Sequence, residues 1–326
     1  MFLNFNLFLI KPIYIYITFL ISFVKIDDSF SQSFTRANDW KSYRKEVVFQ
    51  IGASQFLGDL GGLNKVGTDF SPVDLEFSLT KPAVAIAYRY KLLKNINWHS
   101  SLNYLLVAGD DKLTTEPFRN NRNLNFKSNV FELSTRIEVS LFSNKIGHRY
   151  GISNTMGRRK KSRAYEIIGF IGIGSFYFNP KGRNPTSGVW TKLEPLHTEG
   201  QGLPGGPSKY KKVAISIPMG VAYRMILSKE WCVGIELNFR KTFTDYIDDV
   251  STVYYDRYVL EKAYGSTALL MADPSLGNIT SATAPDGSGN GAQRGDKNKD
   301  SFLSIQVTVG HFFAPKRGKS RLKSKF

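Results

Sequence analysis

The stretch that decides the fold is Phe131–Leu141, which reads FELSTRIEVSL. Its odd-numbered positions hold apolar residues and one threonine, whereas its even-numbered positions hold Glu132, Ser134, Arg136, Glu138 and Ser140. On a helix these charged side chains would point to every side, but on a strand they all lie on one face. The stretch therefore predicts a β-strand with an apolar face and a charged face.

The same period of two recurs along the chain. Strand-like runs occupy Val47–Ala53, Ala83–Tyr90, Trp98–Leu106, Phe131–Leu141, Tyr165–Phe178, Val213–Arg224, Trp231–Arg240 and Leu303–Gly310. Most of these runs approach the roughly 9–11 residues that a tilted membrane strand needs. An even number of antiparallel strands suits a closed barrel without a free edge. We therefore predict an all-β fold, an eight-stranded antiparallel up-and-down transmembrane β-barrel with long outer loops.

A secreted β-sandwich is the alternative, because its strands also alternate. The second face of the runs favours the barrel, since it holds Glu, Arg, Gly, Ala and Ser, the residue types of a narrow polar lumen. Aromatic residues near the strand ends are typical of the girdles at the two membrane interfaces. These residues are Trp98, Tyr165, Tyr177, Tyr223, Trp231, Phe312 and Phe313.

The N-terminal segment has the order of a secretory signal peptide. Met1–Val24 is nearly all apolar around Lys11, and the small polar run Ser29–Ser33 follows it. We predict a signal peptide at residues 1–31, a barrel at residues 32–314 and a basic periplasmic tail at residues 315–326. An uncleaved membrane anchor is the alternative for the first segment.

The connections between the runs differ in length. Leu92–Asn95 and Leu227–Glu230 are short, whereas Gly58–Lys81, Asp111–Asn123, Asn179–Lys211 and Asp245–Asp300 are long. Ser143–Arg163 breaks this alternation, because its place predicts a short periplasmic turn but it is extended and strongly basic. Long loops of outer-membrane barrels face outward. We therefore predict an integral outer-membrane protein, in contact with outer-membrane lipid, with both termini in the periplasm.

The formal net charge of +17 first suggests nucleic acid. The charge is concentrated in one connection and in the tail instead of along a single stripe, so we predict neither a nucleic-acid partner nor a small-molecule substrate. The basic connection shares the periplasmic side with the tail, which predicts a partner-contact surface there. Its residues are Arg158, Arg159, Lys160, Lys161 and Arg163.

Charged residues on the inner faces of the runs predict an ion-pair network in the lumen. Its predicted members are Glu132, Arg136, Glu138, Glu236 and Arg240, with Glu166 and Arg224 as further candidates. Buried charges must be paired, so a network that fills and rigidifies the lumen is the first interpretation, and a charge relay or gate is the second. An eight-stranded interior is just wide enough for side chains, which argues against a transport pore.

Catalysis has little support in the sequence. His99 and Ser101 could both face the lumen, but no nucleophile elbow or metal-ligand spacing accompanies them. We predict no enzyme, no cofactor and no metal centre. The acidic run after Arg240 is a further candidate for partner contact, at Asp245, Tyr246, Asp248 and Asp249. A cation site or a solvated rim is the alternative for these carboxylates.

Residues 240–252 read RKTFTDYIDDVST, which closely resembles a hallmark of the PorG-like outer-membrane β-barrel family (DUF6089-type) of type IX secretion systems. FYFNP at residues 176–180, EPLHTEGQG at 194–202 and RNLNFKSNVFELSTRIE at 122–138 add to the resemblance. The resemblance implies a structural component of a protein secretion and gliding machine. It implies docking on a periplasmic ring lipoprotein and associated secretion-system proteins, without catalysis. A general small outer-membrane barrel, used for adhesion or lipid modification, is the alternative.

Overall fold

The computed structural model describes residues 41, 43–60, 77–114, 116–144, 165–228, 230–277, 292–296 and 298–313. The predicted signal peptide, the basic connection at 158–163 and the tail at 315–326 lie outside these residues. Among the described residues, no helix combines the length and the apolar character required to cross a membrane.

Antiparallel strands make up most of the described chain. Eight long strands are β1 (Lys45–Leu57), β2 (Lys81–Lys91), β3 (Ile96–Asp110), β4 (Asn125–Asn144), β5 (Tyr165–Tyr177), β8 (Val213–Ile226), β9 (Trp231–Thr242) and β10 (Ser301–Phe312). Two short strands are β6 (Pro180–Arg183) and β7 (Trp190–Lys192). Three short helices are α1 (Pro117–Arg122), α2 (Arg257–Tyr264) and α3 (Ser266–Ala272).

The eight long strands close into a ring. The sheet order is β3-β2-β1-β10-β9-β8-β5-β4-β6-β7, and an additional pairing of β3 with β4 closes it. The closing pair is long, running from Ile96 opposite Val139 to Asp110 opposite Asn125. The predicted eight-stranded antiparallel barrel is thereby confirmed. The β6–β7 hairpin continues the sheet from the first residues of β4, where Lys127 and Ser128 pair with β6, and it was not predicted.

The two faces of each strand meet different surroundings. Outward-facing apolar side chains are exposed, with Ile51 at 66% and Leu133 at 63%. Inward-facing charged residues of the same strands, such as Glu132 and Arg136, are buried. Exposed apolar patches of this extent do not persist in water, so the belt around the barrel is the surface that faces lipid hydrocarbon.

The interior has an apolar layer in addition to the charged one. Phe56, Phe126, Phe176 and Phe302 lie buried on the inner faces, at the end of the barrel where the long loops leave. Edge-on ring contacts join Phe56 to Phe126 at 4.7 Å and Phe176 to Phe302 at 5.6 Å between centroids. The predicted polar lumen is therefore only part of the interior, because an apolar plug of phenylalanines lies between the charges and the long loops.

The connection lengths separate the two ends of the barrel with one exception, the long connection at residues 145–164 between β4 and β5, which joins strands at the end that otherwise has short turns. The short connections at residues 92–95 and 227–230 lie at one end of the barrel. At this end β1 begins and β10 ends, and Glu46 of β1 pairs with Phe312 of β10. We call this the short-turn end and the other the long-loop end. The four long connections, at residues 58–80, 111–124, 178–212 and 243–300, all leave the long-loop end.

A charged residue in the apolar belt is expected to destabilise the barrel. Ile51 lies in the middle of β1, opposite Val307 and Val84. Ile51→Arg should reduce the free energy of unfolding in lipid vesicles by about 2–4 kcal/mol, because its guanidinium must enter hydrocarbon. Urea titration of the vesicle-bound barrel measures this change. Val189→Arg, at an equally exposed loop position, is the control, and equal effects of the two changes would contradict the assignment of the belt.

Candidate functional site

Arg136 lies at the centre of the charged lumen. Its guanidinium contacts Glu236 at 2.6 Å and Glu138 at 3.0 Å, and all three side chains are almost fully buried. Gln50 adds a hydrogen bond from its side-chain amide to Glu236 at 3.0 Å. Because Arg136 belongs to β4 and Glu236 to β9, this ion pair crosses the lumen and links opposite walls.

The network continues toward the short-turn end through two residues that the sequence interpretation did not select. Arg89 contacts Glu138 at 2.6 Å and Glu46 at 3.1 Å. Glu46 then contacts Arg224 at 2.7 Å, and Arg224 contacts Glu166 at 3.4 Å. The alternation contained the signal for both missed residues, since Glu46 shares the face of Val48, and Arg89 shares the face of Ala87.

A second ion pair lies nearer the apolar plug. Arg240 contacts Glu132 at 2.7 Å, and neither side chain is exposed. Ser216 donates a hydrogen bond to Glu132, and Arg240 donates one to Ser304, each at 2.7 Å. The structure thus brings Glu132 and Arg240 together, and separately Arg136, Glu138 and Glu236. Every one of these charges has a partner, which is the arrangement of a filled and rigid interior.

The described parts of the four long connections form a cap over the long-loop end. We call residues 58–60, 77–80, 111–114, 116–124, 178–212, 243–277, 292–296 and 298–300 the loop cap. Arg122 joins three of the connections. Its side chain forms a two-point ion pair with Asp111, at 2.8 and 3.0 Å, and donates to the main-chain oxygens of Asp59 and Arg294.

Arg294 joins the last connection to the third. Its buried guanidinium contacts Glu199 at 3.0 Å and donates to the main-chain oxygen of Asp249 at 2.6 Å. Glu199 also accepts hydrogen bonds from the main-chain amides of Ser251 and Thr252. Arg122 and Arg294 together therefore connect all four long connections. No sequence periodicity marks loop residues, so these two arginines were not predicted.

The stretch at residues 240–252 folds as the centre of the loop cap. A turn over Tyr246–Asp249 is closed by a hydrogen bond from the Asp249 amide to the Tyr246 carbonyl, and Asp249 has a φ of 67°. Aspartate tolerates this left-handed conformation better than most residues do. The Asp249 carboxylate accepts hydrogen bonds from Thr198 and Tyr210, and Tyr210 stacks on Tyr246 at 4.5 Å between ring centroids.

The expectation that Asp245, Tyr246, Asp248 and Asp249 form an exposed contact surface is corrected. The three aspartates are buried and Tyr246 is half-buried. Their side chains and neighbouring amides bond within the loop cap, and the closed turn directs them inward. The acidic run was predicted to contact a partner, but composition alone does not distinguish a displayed loop from a folded one.

Carboxylates crowd together inside the loop cap. Burial raises the pKa of Asp59 to about 7, with the charges of Asp296 and Asp245 adding to the rise. Burial also raises the pKa of Asp245 to about 6 and that of Asp249 to about 6. The pKa values of Asp248 and Asp300 are raised well above the usual range by burial and by neighbouring carboxylates. At neutral pH part of this cluster is therefore protonated.

His99 and Ser101, which were considered as catalytic candidates, each have a different partner in the lumen. His99 is buried against Arg136, with 3.4 Å between side-chain nitrogens, while Ser101 bonds to Ser134. Within the described part of the chain, no group of three or more His, Cys, Asp or Glu side chains is arranged to hold a metal ion. The absence of catalysis, cofactor and metal stays a prediction.

The closed ring, the lipid-facing apolar belt and the filled, charged interior define a transmembrane β-barrel of the outer-membrane type. Residues 29–155, which include β1 to β4, match a family described as a domain of unknown function, DUF6089. No curated protein matches the sequence.

Several solved outer-membrane proteins have a similar arrangement of strands. Ail of Yersinia pestis is 7% identical, with 83% of this chain and 99% of that chain covered at a TM-score of 0.34. Neisserial surface protein A is 5% identical, with 82% and 97% covered at a TM-score of 0.34. AlkL is 8% identical, with 85% and 92% covered at a TM-score of 0.30. Similarity at this level supports no inference about function.

Arg294→Gln is expected to loosen the loop cap without opening the barrel. The change leaves Glu199 with a buried charge and no ion-pair partner, which typically costs about 3–5 kcal/mol. Limited proteolysis of the folded protein should cut within residues 178–212 and 243–300 much faster than in wild type. Arg257→Gln, whose ion pair with Asp273 is half-exposed, is the control. Unchanged cleavage of Arg294→Gln would show that Arg294 does not hold the loops together.

The raised pKa values predict a cap that weakens as pH rises. The folded pKa values of Asp59, about 7, and of Asp245, about 6, exceed the ordinary aspartate value of 3.8. The folded cap therefore binds more protons than the unfolded chain, and its stability is greatest below about pH 4 and falls toward pH 7. Hydrogen exchange of cap amides, corrected for intrinsic exchange, should show more opening at pH 8 than at pH 5.

Asp248→Asn combined with Asp300→Asn should reduce this pH dependence, because the amides cannot ionise. The main-chain amides of β4 within the apolar belt serve as the internal control for hydrogen exchange. Equal cap opening at both pH values in wild type would contradict the prediction.

Proposed function

We propose that the protein is a structural outer-membrane component of a type IX secretion and gliding machine, in which it anchors or docks the periplasmic ring. The observation that carries the structural role is the filled interior. The ion pairs around Arg136 cross the lumen, the phenylalanine plug lies above them, and the loop cap covers the plug. A barrel filled in this way serves as an anchor instead of a passage.

The short-turn end is the proposed docking face. Its mouth is a pocket lined mainly by cationic and acidic side chains, among them Arg44, Lys91, Arg224, Glu46 and Glu166. With Arg89, four cationic side chains line the pocket against two carboxylates. The basic residues at 158–163 lie in the connection between β4 and β5, which leave and enter this same end. Such a face favours an acidic periplasmic partner.

The assignment to a type IX machine rests on resemblance. RKTFTDYIDDVST at residues 240–252 resembles the family hallmark, and the match to DUF6089 over residues 29–155 agrees with that resemblance. The general alternative, a small barrel for adhesion or lipid modification, has no observation of its own in its favour. Docking and secretion are therefore the properties to test.

Deletion of the gene should abolish secretion of type IX cargo and surface motility, and the wild-type gene should restore both. A variant with Gln at Arg158, Arg159, Lys160, Lys161 and Arg163 should restore less secretion and copurify with less of the periplasmic ring, because the face loses its positive charge. Quantitative proteomics of the culture medium and of the affinity-purified barrel measures these effects.

A variant that loses the same charge from the loop cap is the control. It carries Gln at the exposed residues Lys112, Lys209, Lys211, Arg257 and Lys262. It should secrete and copurify as wild type does. Normal secretion in the deletion strain would refute the secretion role, whereas normal copurification of the first variant would remove only the basic connection from the docking face.

A further inference from the structure

Three lysines form a row across neighbouring strands at the long-loop end. Lys127 of β4 lies opposite Lys181 of β6, and Lys181 lies opposite Lys192 of β7. Neighbouring strands are about 4.8 Å apart, and like charges directly opposite each other destabilise a sheet. Within the described residues, no carboxylate lies within ion-pair distance of these three ammonium groups. The row therefore has a cost that an anion would remove.

Two further side chains belong to the same face as the row. Arg183 and Trp190 lie opposite each other, two positions along from Lys181 and Lys192. The Lys127 ammonium lies 3.9 Å from the centroid of the Trp190 ring. Tryptophan is enriched at membrane–water interfaces, where its ring meets the headgroups. A basic row beside an interfacial tryptophan is the composition of a headgroup site.

The position of the row along the membrane normal, relative to the apolar belt, supports a site at the level of the lipid headgroups. Lys127 lies on the lipid-facing side of β4, four residues before Phe131, an exposed aromatic residue at the edge of the belt. Four residues of strand span about 13 Å, which corresponds to about 10 Å along the membrane normal at the usual strand tilt. The row is therefore level with lipid headgroups, at the side of the barrel and not on the top of the loop cap.

We propose that Lys127, Lys181 and Lys192 bind the phosphate groups of an anionic glycolipid in the outer leaflet. Phosphate oxygens accept several charge-assisted hydrogen bonds at once, and one phosphorylated headgroup can neutralise adjacent ammonium groups. Arg183 adds a donor at the same face, and Trp190 contacts the apolar part of the interface. This site is separate from the docking face, because it lies at the opposite end of the barrel.

The test uses the full-length barrel, extracted from its own outer membrane in mild detergent. Native mass spectrometry counts the phosphorylated glycolipid that remains bound to each barrel. The variant K127Q/K181Q/K192Q should retain several-fold less than wild type. The variant with Arg at the same three positions should retain the wild-type amount, because the charge is kept. The charge-matched control K94Q/K209Q/K262Q changes exposed lysines away from the row and should also retain the wild-type amount.

Vesicle reconstitution distinguishes recognition of the whole lipid from recognition of phosphate alone. Vesicles containing the phosphorylated glycolipid, the dephosphorylated glycolipid or zwitterionic lipid alone are compared, with inorganic phosphate as competitor. Preference for the phosphorylated form, lost only in K127Q/K181Q/K192Q, is expected. Equal retention by that variant and the control, or equal binding of the dephosphorylated form, would overturn the proposal. Full displacement by inorganic phosphate would also overturn it, because the site would then recognise an ion and not a lipid.

Discussion

The ion pair between Arg136 and Glu236 is the constraint on which the rest of the barrel depends. An arginine side chain keeps its proton inside a protein, so a buried one without a carboxylate costs several kcal/mol. Arg136 meets Glu236 at 2.6 Å across the lumen, although β5 and β8 separate their strands in the ring. The ring must therefore stay narrow, and a narrow ring leaves room for side chains only.

The sequence predicted the barrel well because one physical signal carried it. Alternation placed Glu132, Arg136 and Arg240 inside, and Ile51 and Leu133 outside, before any contact was known. Alternation also places Glu46 and Arg89 on the inner face, because both continue the pattern of their strands to the short-turn end. Alternation did not predict the phenylalanine plug, because a phenylalanine on an otherwise polar face only interrupts the alternating pattern.

The loop cap was largely beyond prediction from sequence. Arg122 and Arg294 act on main-chain oxygens of distant connections, and such contacts depend on how the loops fold together. Asp248 and Asp249 were predicted to contact a partner, but both are buried within the cap, where a turn over Tyr246–Asp249 holds them. Resemblance to a family marked residues 240–252 as distinctive without indicating whether they act on a partner or on the fold itself.

A filled barrel recognises partners only at its surfaces, and its surfaces differ in charge. The interior of the loop cap holds the carboxylates, where burial keeps part of them protonated and hides them from partners. The cationic side chains instead line the short-turn mouth and the row at Lys181 beside the belt. The net charge of +17 is thus divided among separate parts of the protein. Acidic groups turned inward leave basic groups outward, and these basic groups form the two separate surfaces at which we propose anionic partners.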